Sequence, residues 1–430
     1  MLQLKFAAPS GLGRLLLVCG GGLLVACGSG AGGPGPAEMG GAAGSAGTNA
    51  AAGSSGAASG AAGASDAAGT GGTTAGVGAG GNASGGSGGV AGSSSVGNCT
   101  PPVDVFSPVV KLSETGCVDP ANPTQPVSRA VSYEVNSPLW SDSADKTRAF
   151  VLPAGGKIHV RDCTADAADC PNGAADDGRW DFPVGSVMIK TFAFDSKLVE
   201  TRLFMHVAAT DWVGYSYQWN ETQTEALVVS SDGAEATFNT GQRSVDWHFP
   251  SQKDCVNCHN TAGGSTLGPE TAQMNRPLGG VNQIDKLAAL FETAPAKPYK
   301  AALVTPYPSQ AGAPPAEATT EQKARSYLHA NCGFCHRPGG NYPNFDYRYD
   351  TAFKDMNICN AEAKKGAIPN APDKTKILVP GVETDSVMWL RMNEVDPVKG
   401  RMPQIGSWQA DADGNKLVAD WIKSLPATCP

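Results

Sequence analysis

Two pentapeptides in the chain carry the same reactive residues in the same order: two cysteines three positions apart, and a histidine directly after the second. The six residues are Cys255, Cys258, His259, Cys332, Cys335 and His336. From 12 Cys and 6 His in 430 residues, only about 0.005 such pentapeptides are expected by chance. The spacing is typical of haem c attachment, in which both thiols form thioethers with the haem vinyl groups and the histidine binds the iron. The sequence therefore predicts two covalently attached haem c groups.

Zinc binding and dithiol redox chemistry also use paired cysteines. The pairs of a zinc ribbon usually lie about 15 to 20 residues apart, whereas about 70 residues separate Cys258 from Cys332. A thioredoxin-like dithiol requires no histidine after its second cysteine. Both alternatives explain the pattern less well than haem attachment does.

Each haem iron either takes a second protein ligand, opposite the motif histidine, or keeps that position open. For the second haem we expect Met402, because its distance from His336 and the Met-Pro pair resemble those of small cytochromes c. Met388 and Met392 compete for this role, but their spacing fits a helix on which both would serve as packing.

The first haem has several candidate ligands. Met274 and His248 are equally favoured, and His206 and His329 are further candidates. His206 alternates with apolar neighbours, and a histidine in a strand is more often structural than a ligand. A five-coordinate iron is the remaining alternative, so the sequence leaves this choice open.

Two helices are predicted around the second motif. Thr319 to Gln322 forms a possible capping box, and apolar residues then repeat at helical spacing up to Cys332. Near the C-terminus one apolar helix face is formed by Leu417, Val418, Trp421, Ile422 and Leu425. Two such helices crossing near a haem resemble the small cytochrome c fold. We therefore expect a mostly α-helical cytochrome c region, with a first haem segment at 251–318 and a second haem domain at 319–430.

The preceding region shows a period of two. Residues 187–192, 203–207 and 215–219 are rich in β-branched and aromatic side chains. This pattern predicts an antiparallel β-sandwich-like domain at 99–250, so the expected fold class is α+β and multidomain. Tyr217 and Trp219 belong to an aromatic stripe that could bind sugar, although packing in the core is favoured.

The N-terminus has the features of an export signal. Lys5 and Arg14 precede an apolar stretch that ends at Ala26 and Cys27, which is typical of a secretory signal peptide. Residues 24–27, Leu-Val-Ala-Cys, resemble the bacterial lipobox, so we expect a lipoprotein signal peptide at 1–26 and a lipid on Cys27. An ordinary cleaved signal is the alternative.

Residues 27–98 are almost wholly Gly, Ala, Ser and Thr, and this composition predicts a disordered tether. Gly28 after the acceptor cysteine resembles the outer-membrane sorting pattern. The protein is thus expected to be exported and anchored by its lipid alone to the outer membrane, facing the periplasm or the cell surface.

Outside the cytoplasm, cysteines tend to form disulfides. Six remain after the motifs and the leader are set aside: Cys99, Cys117, Cys163, Cys170, Cys359 and Cys429. Proximity in sequence favours pairing each with its neighbour in that order, among about 15 possible connectivities. The formal net charge of -8, without a basic run, argues against a nucleic-acid partner.

The chain is similar, from about Ser137 to Leu425, to a family of bacterial two-haem c-type cytochromes with a β-rich N-terminal half. Besides both haem motifs, the resemblance rests on Pro138-Leu139-Trp140-Ser141-Asp142, Phe182-Pro183-Val184-Gly185-Ser186, Lys190-Thr191-Phe192, Glu200-Thr201-Arg202-Leu203, Tyr217-Gln218-Trp219-Asn220, Val379-Pro380-Gly381 and Arg401-Met402-Pro403. Met274 stands where the family more often has leucine. The tether resembles those of myxobacterial lipoproteins.

The function expected from these features is electron transfer between a periplasmic or cell-surface donor and acceptor, with a redox protein such as a dehydrogenase or oxidase as partner. No catalytic residue is assigned, because electron transfer needs none of its own. One alternative is a peroxidase-like enzyme whose first haem stays open. Another is a carbohydrate-binding module at Tyr217 and Trp219 that serves a sugar dehydrogenase.

Overall fold

A computed structural model describes residues 98–171, 173–176, 178–305, 318–364 and 368–430. The predicted signal peptide, the lipid acceptor Cys27 and all but the last residue of the tether lie outside these described residues. Within them, no helix is long and apolar enough to cross a membrane.

The strands are mostly short and pair antiparallel. They are β1 (Val118–Asp119), β2 (Asn122–Pro126), β3 (Val131–Ser132), β4 (Asp145–Val151), β5 (His159–Val160), β6 (Trp180–Asp181), β7 (Val187–Phe194), β8 (Lys197–Ala208), β9 (Asp211–Trp219), β10 (Ala226–Val228), β11 (Ala234–Asn239), β12 (Ser244–Phe249), β13 (Pro277–Leu278) and β14 (Val281–Asn282). Six of them form one sheet in the order β10-β9-β8-β7-β4-β3. The others form two-stranded sheets, β1-β2, β5-β6, β11-β12 and β13-β14.

The helices are short. They are α1 (Gln252–Cys258), α2 (Thr271–Met274), α3 (Gln283–Lys286), α4 (Thr320–Asn331), α5 (Val387–Asn393) and α6 (Ala412–Ser424). Single 3-10 turns occur at Leu112–Glu114, Ala167–Asp169, Gly173–Asp176, Ala288–Leu290, Phe353–Asp355 and Glu383–Asp385.

The six-stranded sheet is covered on both faces because its side chains alternate between two apolar clusters. Val187 and Leu203 on one face pack with Leu112 and the Cys99–Cys117 disulfide of the N-terminal segment. Met188 and Phe204 on the opposite face pack with Met274, Ile284 and Leu287 of the α2–α3 region. The sheet therefore lies between the N-terminal segment and the segment that carries the first motif.

The expected α+β fold with a mostly α-helical cytochrome c region is wrong. Of the residues that the structure describes, 25% are in strands and 20% are helical, with six short helices among them. In residues 319–430, α4, α5 and α6 contain 12, 7 and 13 residues, which is less than a third of that region. The stretch between α4 and α5 is rich in Gly, Pro and Asn, which favour turns over helix. The expected sandwich is also replaced by one six-stranded sheet with two-stranded sheets around it.

Two of the predicted helices are nevertheless confirmed. The capping box at Thr319 and Gln322 opens α4, and the apolar face near the C-terminus lies on α6, where Val418, Trp421 and Ile422 are fully buried. These three side chains pack with Leu328 of α4 in one cluster. Helical periodicity predicted these two elements well, but not the irregular chain between them.

Three disulfides join the six remaining cysteines: Cys99–Cys117, Cys163–Cys170 and Cys359–Cys429. These are the pairs that proximity in sequence favours. The last one ties the segment before α5 to the C-terminus, across a sequence separation of 70.

A short segment before β4 connects the sheet to the region of the second motif. The Ser137 hydroxyl donates to the Ser326 carbonyl in α4 (2.8 Å), and Trp140 N–H donates to the Asn331 side chain (2.7 Å). The buried Asp142 carboxylate accepts from the N–H groups of Trp408 and Gln409, both at 2.8 Å. Residues 137–142 therefore fix α4 and the loop before α6 against the sheet.

Candidate functional site

The first motif lies on a capped helix that packs against the sheet. Ser251 and Asp254 form a capping box at the start of α1, so orphan N–H groups of its first turn are satisfied. Cys255 and Cys258 lie within α1, and His259 is its C-cap residue.

Close packing of α1 depends on Gly214 of β9. A Cβ atom placed on Gly214 would lie 2.6 Å from the Cys255 sulfur and 3.0 Å from its Cβ. An isolated glycine in a strand often marks such a close approach. Gly214 therefore leaves the space in which the first cysteine of the motif meets the sheet.

The second motif follows α4 directly. Thr319 and Gln322 cap the N-terminus of this helix, and Cys332 is its C-cap residue, whose N–H donates to the carbonyls of Leu328 and His329. The His336 ring is surrounded by aromatic rings, with centroids at 5.5 Å for Tyr342, 6.0 Å for Phe345 and 5.3 Å for Tyr347. Both motifs are thus positioned by short, capped helices.

The two motifs contact each other, although some 70 residues separate them in sequence. Asn260, just after the first motif, donates to the Phe334 carbonyl inside the second (3.3 Å). In the reverse direction, Asn341 donates to the Asn257 carbonyl inside the first (3.0 Å). Groups attached at the two motifs would therefore be neighbours.

All four motif cysteines are free thiols, while the three disulfides use other cysteines. Burial raises the pKa of Cys255 and Cys335 to about 11, and that of Cys258 and Cys332 to about 12. A dithiol that exchanges with disulfides needs a lowered thiol pKa, since the thiolate is the nucleophile. The raised pKa values of these half-buried thiols therefore do not favour thioredoxin-like chemistry.

His259 is arranged as a neutral ligand. Its Nδ1 lies 2.5 Å from the Ser265 carbonyl oxygen, and because a carbonyl can only accept, Nδ1 carries the proton and Nε2 keeps its lone pair. Burial lowers the pKa of His259 to about 3. A hydrogen bond from the other ring nitrogen is the usual way in which a protein orients a metal-binding histidine.

A cleft opens beside the first motif. Its lining includes all three motif residues, Cys255, Cys258 and His259, together with Met188 and Phe204 of the sheet. The Phe204 ring centroid lies 4.3 Å from that of His259. The wall is mostly apolar, as pockets for large planar ligands are.

Two of the predicted ligands of the first iron lie outside this lining. Met274 is fully buried in the core, and its sulfur accepts from the Gln283 amide at 3.3 Å. His248 lies on β12, with its Nδ1 3.5 Å from a Glu235 carboxylate oxygen and its ring 4.5 Å from that of Trp408.

The two other candidate histidines also have partners elsewhere. His206 Nδ1 lies 2.8 Å from the Phe182 carbonyl oxygen, and its ring stacks on Trp212 at 4.4 Å. His329 has both nitrogens engaged, Nε2 with the Glu270 carboxylate at 2.8 Å and Nδ1 with the N–H of Tyr349 at 3.1 Å. The sequence did not single out Met188, which lines the cleft, because an apolar residue in a strand is usually part of the core.

A second cavity lies beside Cys332 and His336. Three methionines line it: Met388 and Met392 from α5, and Met402 from the following loop. Met402 is placed by its N–H, which donates to the Arg391 carbonyl at 2.9 Å. The structure thus brings the predicted ligand Met402 and both competitors to the same cavity.

The sequence indicated metal and haem binding, and the side chains of the described residues do not support that expectation. Within the described residues, no group of three or more His, Cys, Asp or Glu side chains could hold a metal ion. The described residues therefore give no support to the metal-binding expectation, and the expected cytochrome-like helical fold is wrong. At each motif the histidine lies beside a cavity without a second His or a cluster of Cys, Asp and Glu side chains.

The aromatic stripe of β9 is part of the core. Tyr217 and Trp219 are 1% and 3% exposed, and their polar atoms bond inside the protein, Tyr217 to the Val109 carbonyl at 2.9 Å and Trp219 to the Thr201 hydroxyl at 3.0 Å. A sugar has no access to these rings in this conformation.

Comparison with known proteins gives no similar family and no relative: no family model, no curated protein and no solved structure matches the chain. The functional argument therefore rests on the chemistry and geometry of the two motifs.

Proposed function

We propose that the protein is an exported electron-transfer protein that carries two haem c groups, one at each motif. The observation that carries this proposal is the pair of Cys-x-x-Cys-His motifs on capped helices, hydrogen-bonded to each other and each facing a mostly apolar cavity. A covalent haem brings its iron inside its own ring. It therefore needs one or two protein ligands, rather than a cluster of three or more side chains, which is absent from the described residues.

The residues present fit such a group. Cys255 and Cys258 supply reduced thiols beside the first cleft, and Gly214 leaves the space for their helix. His259 is held with Nδ1 bonded and Nε2 available. When bound, the haem would supply one-electron redox chemistry. The chain's own role is to hold it, orient it and exclude water.

At the second motif, His336 and Met402 are the proposed ligands. Met402 is a better candidate than Met388 or Met392, because it lies on a loop anchored by backbone hydrogen bonds, whereas the other two are 7% exposed members of the core cluster around α4 and α6. A His/Met pair favours a higher reduction potential than a His/His pair.

The close contact of the motifs supports transfer between the two groups, and the redox partner would be a periplasmic or cell-surface dehydrogenase, oxidase or reductase. Export through the signal peptide and attachment through Cys27 to the outer membrane belong to the same proposal. The large net negative charge disfavours nucleic acid as a partner.

The experiment is visible and EPR spectroscopy of purified wild-type protein and of Met402→Ala, Met388→Ala and Met392→Ala. We expect a methionine–iron charge-transfer band that disappears only in Met402→Ala, with haem attachment retained. Loss of the band in Met388→Ala or Met392→Ala would move the ligand to α5. A protein without covalent haem would overturn the proposal.

A second candidate function is a peroxidase-like reaction at the first haem. It is favoured by the placement of Met274, His248, His206 and His329, all of which have partners outside the first cleft. An open iron would bind cyanide or carbon monoxide and turn over hydrogen peroxide. If only one haem binds these ligands and peroxide is consumed, the enzyme is favoured; if neither haem binds them, pure electron transfer is favoured.

A further inference from the structure

Three cations form a row across the six-stranded sheet. Arg148 of β4 lies opposite Lys190 of β7, and Lys190 lies opposite Arg202 of β8. Since side chains alternate along a strand, this row shares its face with Met188 and Phe204, two positions along. All five residues line the cleft that also contains His259.

The row carries more positive charge than nearby carboxylates balance. Glu200, which is fully buried, holds Arg202 through two hydrogen bonds of 2.8 and 2.7 Å. Glu134 reaches Arg148 only at 3.9 Å and is half exposed. Lys190 forms no ion pair with any carboxylate in the part of the chain that the structure describes. Burial, followed by the charge of Arg148, lowers the pKa of Lys190 well below its usual range.

Such a row is unfavourable without an anion. Like charges directly opposite each other destabilise a sheet, and a buried charge is costly unless it is paired. Arg148 is only 8% exposed and Arg202 26% exposed, so water screens the repulsion poorly. Glu200 is close to Arg202 alone, Arg148 has only the more distant Glu134, and Asp254 also lines the cleft.

We propose that Arg148, Lys190 and Arg202 bind the two propionate carboxylates of the haem attached at Cys255 and Cys258. This inference rests on the proposed function. The haem would bring two carboxylates into the same cleft, where Arg148 and Lys190 have no close carboxylate partner among the described residues. Arginine and lysine bind carboxylates by charge-assisted hydrogen bonds, so the row would fix the orientation of the ring above the sheet. The three residues are positioning residues and take no part in the thioether chemistry.

The same positive charge could instead hold a free carboxylate or phosphate from solution. Haem carboxylates are favoured because the row lies inside the cleft of the first motif. The two sources differ in one respect: a free anion would change the potential of the first haem in a concentration-dependent way, whereas attached carboxylates would not.

The test is a spectroelectrochemical titration of the holoprotein, wild type against Lys190→Met and Arg148→Met. Lys197→Met is the matched control, because Lys197 belongs to the same sheet but pairs with Glu221 outside the cleft. Removing a cation beside the propionates leaves negative charge near the iron and stabilises the oxidised state. We expect one of the two redox transitions to shift to lower potential in both cleft variants, and neither to shift in Lys197→Met.

Lys190→Arg keeps the positive charge, so its two redox potentials should equal those of the wild type. Unchanged transitions in both cleft variants, or equal shifts of both haems, would overturn the inference. So would a wild-type potential that follows added acetate or phosphate. If the cleft variants fail to fold, resonance Raman spectroscopy of the wild-type protein is the test. Strongly hydrogen-bonded propionates give a shifted bending band, and absence of this shift would refute propionate binding by the row. Failure of the proposed function is separate: it shows as a protein whose mass contains no haem.

Discussion

Gly214→Ala should separate the first motif from the sheet. The added Cβ would lie 2.6 Å from the Cys255 sulfur and 3.0 Å from the Cys255 Cβ, whereas carbon atoms in optimal contact lie about 3.5 to 4.0 Å apart. Helix α1 must therefore move by about 1 Å, and overpacking of this kind typically costs about 1 to 3 kcal/mol. The same movement strains the hydrogen bond from Asn341 to Asn257.

The assay has two parts, urea unfolding and the intact mass of the secreted protein. We expect a lower unfolding midpoint with an unchanged slope, together with molecules that carry one haem instead of two. Gly268→Ala is the matched control, because its Cβ would lie 3.5 Å from the nearest atom of Val135, an ordinary contact in the same cleft. If Gly214→Ala behaves like Gly268→Ala in both assays, the proposed packing of α1 on β9 is refuted.

Three further predictions concern stability. Replacing Cys359 and Cys429 by serine removes a cross-link with a sequence separation of 70. This should lower the free energy of unfolding, measured with urea, by about 4 kcal/mol, and a decrease below about 1 kcal/mol would contradict the prediction. Burial raises the pKa of Glu270, but the charge and hydrogen bond of His329 outweigh burial and lower that pKa from 4.5 to about 2. The Glu270 carboxylate therefore stabilises the fold above about pH 4.5, and this stabilisation disappears as the pH falls through about 2. In thermal melts, the melting temperature of Glu270→Gln should therefore fall less steeply with decreasing pH than that of the wild type. Identical pH profiles would contradict the pairing of Glu270 with His329. Asn260→Ala removes a hydrogen bond to the second motif and should lower the free energy of unfolding by about 1 kcal/mol. An unchanged free energy of unfolding would contradict this contact.

The sequence predicted those elements whose pattern is local. The capping box at Thr319 and the apolar face of Trp421 and Ile422 lie within single helices, and both helices form. A period of two correctly indicated antiparallel strands at 187–219. The three disulfides also join cysteines that follow one another among the six outside the motifs and the leader.

What could not be predicted depends on contacts between distant residues. The row of Arg148, Lys190 and Arg202 follows from strand register, which no single strand determines. The contact between the two motifs depends on Asn260 and Asn341 side chains reaching across the fold. The placement of Met274 in the core rather than in the cleft likewise follows from packing, because sequence spacing does not distinguish a buried thioether from a ligand.

Intact-mass analysis of the mature, secreted protein tests the central claim most directly. The account predicts a mass higher than that of the lipidated polypeptide by two haem groups, with Cys255, Cys258, Cys332 and Cys335 resistant to alkylation after reduction and denaturation. A mass without haem, with all four thiols alkylated, would contradict it.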